Sequence, residues 1–190
     1  MYITIEGIDT AGKSTQIERL SLIFPQAIIT KEPGATAIGK EIREIVLSTK
    51  AQSKKAEFLL FLADRAEHIQ EVVQPNLDKM IISDRSVVSG VAYALVQGEI
   101  SQTAILHLNR FATNSIYPEK VFLLKLTKDE LEYRLSQKEL DGIELRGVAY
   151  LLSIQDAIIE AARLLNLELI EIDATKTIDE ISKEIAAHLL

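Results

Sequence analysis

The 190-residue sequence predicts an α/β fold of three layers, a five-stranded parallel sheet flanked by helices. Three observations predict it. Short apolar runs alternate with helical patterns along the whole chain, as in parallel sheets covered on both faces. A glycine-rich loop joins the first run to the first helix. No repeat or composition shift divides the chain, so residues 1–190 are expected to form a single domain.

The elements follow in order. Tyr2–Glu6 is an apolar strand, and Lys13–Ile23 has helical character. Gln26–Thr30 and Lys79–Ser83 are further short strands rich in branched residues. Between them, Glu57–Val73 reads as a long helix whose core stripe is Leu59, Leu62, Ala66, Ile69 and Val73. Lys120–Leu126 and Glu168–Asp173 complete the strands. Thr127-Lys-Asp-Glu130 and Thr177-Ile-Asp-Glu180 have the form of capping boxes opening two helices. The last helix presents Ile178, Ile181, Ile185 and Leu189 on one face. Gln137–Gly147, with Lys138, Asp141, Gly142, Glu144 and Arg146, is poor in core signals and reads as a polar, mobile excursion.

Composition removes several function classes. Hydrophobic residues make up 47% of the chain, enough for a substantial core. A net charge of −7 argues against a general nucleic-acid binder, which would be basic. The absence of cysteine removes disulfides, thiolate metal sites and cysteine nucleophiles. A strand starting at residue 2 leaves no room for a signal peptide. No apolar run approaches the length of about 18 residues that a membrane span needs. A cytoplasmic protein is the expectation.

The glycine-rich loop carries the most chemistry. Gly7, Ile8, Asp9, Thr10, Ala11, Gly12, Lys13 and Ser14 fit G-x-x-x-x-G-K-[ST] without a mismatch, and Thr15 follows. Gly7 and Gly12 let the backbone coil so that several amides face one phosphate. Lys13 can reach the terminal phosphates, and the Ser14 hydroxyl can hold Mg²⁺. The motif makes the sheet a P-loop NTPase fold, in which ligands bind outside the carboxyl ends of the strands.

Polar residues gather at those ends. Glu32 follows the second strand, and Arg43 lies about two turns into the next helix. Asp84 and Arg85 close the third strand. An acidic residue there organises Mg²⁺ in P-loop proteins, and an arginine fork suits a dianionic phosphate. A plain Asp–Arg ion pair is the alternative. Phe61 and Arg65, four apart, share a helix face and could stack on and hydrogen-bond a base, although spacing alone favours a core Phe and a surface Arg. Tyr93 taken alone reads as packing. His68, His107 and His188 show no ligand spacing.

Together these pieces resemble the thymidylate kinase family. Glu6–Gln16, Lys31-Glu-Pro-Gly-Ala-Thr36, Leu60–His68, Ser83-Asp-Arg-Ser86 with Ala92-Tyr93, and Leu140-Asp-Gly-Ile-Glu144 look like its signatures, in order and at the right spacing. The resemblance implies ATP-dependent phosphorylation of dTMP to dTDP, on the route to dTTP, by a Mg²⁺-dependent homodimer. It implies that the P-loop holds ATP and that Asp9 lies near the dTMP sugar. Arg43 and Arg85 would hold the dTMP phosphate. Phe61 would stack on thymine, Arg65 would bond its edge, and Tyr93 would favour deoxyribose. Glu32 joins the same substrate site, Ser14 and Asp84 would organise Mg²⁺, and a lid at about residues 137–147, with Arg134, Lys138 and Arg146, would close over ATP.

The chain departs from the family pattern in places. Ala35 replaces a usual glycine. Gly90 and Ala94 stand where polar residues are usual. Thr10 stands where some members carry arginine, and Gly142 where a basic lid residue is common. Three other readings compete. A deoxynucleoside kinase would share the P-loop and the Asp-Arg-Ser run, and would use Glu32 as base. A GTP-dependent switch would need an Asn-Lys-x-Asp run, which is missing. A catalytically silent nucleotide-binding module would have lost the arginines that this chain keeps.

Overall fold

The computed structural model describes residues 1–48, 52–139 and 144–190. Five strands, β1 (Tyr2–Glu6), β2 (Ile28–Lys31), β3 (Ile81–Asp84), β4 (Lys120–Lys125) and β5 (Glu168–Asp173), form one parallel sheet in the order β2-β3-β1-β4-β5. The helices are α1 (Lys13–Ile23), α2 (Ala37–Leu47), α3 (Lys54–His68), α4 (Val87–Gln97), α5 (Gln102–Ala112), α6 (Lys128–Ser136), α7 (Val148–Leu164) and α8 (Ile178–Ala187). They flank the sheet, with α1 against α8, α4 against α5 and α7, and α2 against α3. Every residue of β1 is buried, and Val121, Phe122, Leu123 and Leu124 of β4 are fully enclosed. Both faces of the central strands are covered, so apolar residues point to either face without strict alternation, with Thr4, Glu6 and Ser83 as buried polar exceptions. Edge strands β2 and β5 are half-exposed.

Pairing register sets the site. Ile5 pairs with Asp84, and Asp84 with Lys31. The next residues, Arg85 and Glu32, therefore leave β3 and β2 at the level where Glu6 ends β1. The Arg85 amide donates to the Ile5 carbonyl (3.1 Å) and the Glu32 amide to the Asp84 carbonyl (3.0 Å). Arg85 and Glu32 open on one crevice, while Glu6 is fully buried behind it.

The structure moves several expected boundaries. β2 begins at Ile28, because the Ala27 amide is taken by the Phe24 carbonyl in a turn (2.9 Å). β3 begins at Ile81, because the Lys79 amide is similarly held by Asn76 (2.9 Å). The long helix starts at Lys54, capped by Ser53, and widens into a π-helical turn over Ile69–Val73. Its buried row is Phe58, Leu62, Arg65, Ile69 and Val73, whereas Leu59 and Ala66 face outward. Ile178 is exposed, because it opens α8 before the buried row of Ile181 and Ile185. The Thr177–Glu180 capping box is complete. At α6, Thr127 caps the helix, but Glu130 turns to Arg134 Nε (2.6 Å). The expected polar excursion contains a fully buried Glu144 at the start of a 3₁₀ turn. Its residues 140–143 lie outside the described residues. Among the described residues, no helix is long and apolar enough to cross a membrane.

Candidate active site

The loop between β1 and α1 presents backbone amides. Gly12 stands at the helix start with φ 92°, a left-handed conformation that costs glycine little. No side chain caps α1, and its first turn holds no carboxylate, so its free amides suit an anion. Ser14 and Thr15 are exposed on that turn. Lys13 folds back into the loop, donating to the Ile8 carbonyl (3.0 Å) at 3.8 Å from Asp9. Burial and the nearby Arg85 lower its pKa to about 8, while Asp9 and Asp84 pull the other way.

Asp9 links this loop to the end of β3. Its Oδ1 accepts from Arg85 Nη2 (2.7 Å), and Arg85 Nη1 donates to Ser89 Oγ (3.1 Å). The expected alternative, an Asp84–Arg85 ion pair, is not what forms. Arg85 turns to Asp9, and Asp84 Oδ1 is buried without a hydrogen-bond partner among the described residues. Arg85 sits at φ 65° and Thr10 at φ 68°, strained conformations for side chains larger than glycine. The Arg85 backbone is held there by its bond to Ile5 and by Ser83 Oγ donating to its carbonyl (2.6 Å). Buried Glu6 accepts from Ser86 and Ser89, and burial raises its pKa against those hydroxyls. The Arg85 guanidinium lies 5.8 Å from the centre of the Tyr93 ring.

A cavity of about 540 Å³ opens beside these groups, a volume suited to a small ligand. Asp9, Glu32, Arg43, Phe61, Arg65, Arg85, Tyr93 and Arg146 all line it. Arg43 is anchored by the Pro33 carbonyl (3.0 Å). Phe61 is half-buried on the wall, whereas Arg65 is 3% exposed, so the pairing of a core Phe with a surface Arg is overturned. Arg65 is buried because Glu32 Oε2 accepts from its Nε (2.9 Å) and Asn109 Oδ1 from its Nη1 (2.7 Å). His68, which the sequence left without a role, holds the other Glu32 oxygen (2.8 Å) and meets Thr30 (2.7 Å). Asp64, also unforeseen, accepts the Gly34 amide (2.9 Å), and burial raises its pKa to about 6. The only sequence signal for these partners was local: Ser89 one helical turn after Arg85, and His68 one turn after Arg65.

The Glu32 network makes a stability prediction. Burial alone would raise the Glu32 carboxyl, but Arg65 and His68 hold it below its ordinary value of 4.5. The stabilisation is therefore present above pH 4.5 and lost as pH falls through the depressed folded pKa. Glu32→Ala leaves a buried arginine unpaired and is expected to destabilise by about 3–5 kcal/mol at neutral pH in thermal melts. The loss should shrink under acid, where the wild type has already given up the interaction.

The lid residues divide. Arg146 reaches the cavity, bonded to the Tyr150 hydroxyl (2.9 Å) and stacked on its ring. Lys138 pairs with Glu144 (2.7 Å) away from the cavity wall. Arg134 lies between the P-loop and the turn after β5, donating to the carbonyls of Thr10 (3.0 Å) and Ala174 (2.6 Å). Among the described residues, no group of three or more His, Cys, Asp or Glu side chains could hold a metal alone. Orphaned Asp84 Oδ1 and exposed Ser14 instead suit Mg²⁺, which keeps few protein ligands and takes the rest from phosphates and water.

A family model for thymidylate kinase matches residues 5–185. A thymidylate kinase of Sulfurimonas denitrificans is 77% identical, with all of this chain and 99% of that protein covered. One of Aliarcobacter butzleri is 54% identical, with 100% and 98% covered. The crystal structure of thymidylate kinase from Ehrlichia chaffeensis superposes with a TM-score of 0.74 at 26% identity, covering 100% of this chain and 98% of that one.

Proposed function

We propose a division of labour for a chain that belongs to the thymidylate kinase family and phosphorylates dTMP to dTDP: the P-loop holds ATP and the 540 Å³ cavity holds dTMP. The observation that carries this is Asp9, which touches Lys13 of the loop and Arg85 of the cavity at once. The two halves therefore meet at one residue.

The second pKa of a phosphomonoester is about 6, so the attacking oxygen of dTMP is ionised at neutral pH and needs no base. That oxygen bonds to the γ-phosphorus of ATP as the bond to the β–γ bridging oxygen breaks, giving dTDP and ADP. Arg43 and Arg85 hold the dTMP phosphate, while Lys13 and the α1 amides hold the donor phosphates. Phe61 stacks on thymine, Arg65 bonds its edge, and Tyr93 packs on the deoxyribose. Ser14 and Asp84 would hold Mg²⁺, which supplies positive charge to phosphate oxygens when bound. Arg146 brings lid charge to the cavity. Arg134 braces the Thr10 carbonyl where other chains carry a P-loop arginine. The deoxynucleoside-kinase alternative needs a free base at Glu32, but that carboxylate is committed to Arg65 and His68.

The same reading has the chain working as one domain with a lid at about residues 137–147. It also makes the chain a cytoplasmic homodimer packed through helices. Exposed Leu59 on α3 and Phe111 on α5, helices that contact each other, support a covered apolar face. A panel of nucleoside monophosphates assayed with ATP and Mg²⁺ tests the substrate assignment. dTMP should turn over fastest, with purine monophosphates at least about 100-fold worse in kcat/KM. Equal use of a purine monophosphate would refute the stacking and edge-bonding roles.

A further inference from the structure

We propose that Asn109 and the bare backbone of Gly90 position Arg65, and so set base discrimination from outside the residues that touch the nucleotide. The proposal rests on the reading that Arg65 faces the base edge. Asn109 is fully buried on α5 and does not line the cavity. Its amide nitrogen donates to the Ile105 carbonyl (2.8 Å), which leaves its oxygen turned toward Arg65 Nη1 (2.7 Å). Glu32 fixes Nε from the opposite strand end. The third restraint is an absence: a Cβ at position 90 would lie 2.3 Å from Arg65 Nη2 and 2.9 Å from Cζ. The guanidinium therefore lies directly against the Gly90 backbone. A side chain at position 90 could not coexist with this arginine position.

The arrangement leaves a specific donor unspent. Among the described residues, none accepts from Arg65 Nη2, although Arg65 is 3% exposed and lines the cavity. An unused N–H on a guanidinium that lines the cavity is placed to meet an acceptor from the ligand. The class that meets it is a pyrimidine with a ring carbonyl at that edge. Cytosine, which offers an amino donor there, would face it donor to donor. Discrimination then depends on how firmly Asn109 and Gly90 hold the guanidinium in line.

The test is kcat/KM for dTMP and dCMP with ATP, in the wild type and in Asn109→Leu, Asn109→Asp, Gly90→Ala and Arg65→Gln. Asn109→Leu removes the acceptor. It should lower the dTMP-to-dCMP ratio about tenfold and raise KM for dTMP, with KM for ATP unmoved. Asn109→Asp keeps an acceptor and should restore most of the lost ratio. Gly90→Ala, on a different helix, should lower the ratio as well, and carries the test if Asn109→Leu does not fold. In an Arg65→Gln background, Asn109→Leu should have no further effect on the ratio. An unchanged ratio in folded Asn109→Leu, or equal losses for both nucleotides, overturns the positioning role while the base reading stands. An unchanged ratio in Arg65→Gln overturns the base reading and the proposal with it.

Discussion

Lys13→Ala is expected to reduce phosphoryl transfer by about a thousandfold or more, the range seen when a charge stabilising the transition state is removed. The lysine is a buried cation at the P-loop, beside the α1 amides that no side chain caps. Its ammonium donates to the Ile8 carbonyl and lies 3.8 Å from Asp9, but burial and the nearby Arg85 outweigh these and lower its pKa to about 8 rather than 10.5. Folding then disfavours the charged form. The unfolded chain binds more protons between pH 8 and 10.5, so wild-type stability should rise through that window relative to the variant. At neutral pH the variant should melt no lower than the wild type. Loss of transfer without loss of stability separates a phosphate site from a structural lysine. Near-normal turnover would remove Lys13 from the mechanism.

Arg85→Ala should raise KM for dTMP about 100-fold or more, with a much smaller change in KM for ATP. Arg85 offers a planar fork to the cavity, steadied by Asp9 and Ser89 and backed by the Tyr93 ring. Arg85→Lys keeps the charge but not the fork, and should fall between the two. The strained backbone at this position is held by β1 and Ser83, not by the side chain, so neither variant should collapse the strand end. Equal rises in both KM values would move Arg85 out of the acceptor half.

The strands and the phosphate loop were legible where local signals agree with burial. β1, α1 and β5 fall where the pattern puts them, and Gly7–Ser14 is read from a motif that needs no tertiary partner. The α3 row was misread, because one of its buried positions is Arg65. Periodicity treats arginine as a surface residue. Its burial depends on Glu32, Asn109 and Gly90, three segments that only the fold brings together. His68 and Asp64 were hidden for the same reason. The alternative of an Asp84–Arg85 ion pair fails because the left-handed turn at Arg85 sends that side chain to Asp9 instead. Glu144 shows the reverse case, a carboxylate in a polar stretch that is fully buried.

The claim that the cavity beside Asp9 accepts a nucleoside monophosphate is tested most directly by calorimetric titration of dTMP and of thymidine into the nucleotide-free protein. dTMP should bind at least about 100-fold tighter than thymidine, and the gap should close in the Arg43→Ala, Arg85→Ala double variant while thymidine affinity is retained. Equal binding of the two ligands by the wild type, or a gap that survives loss of both arginines, would contradict the assignment.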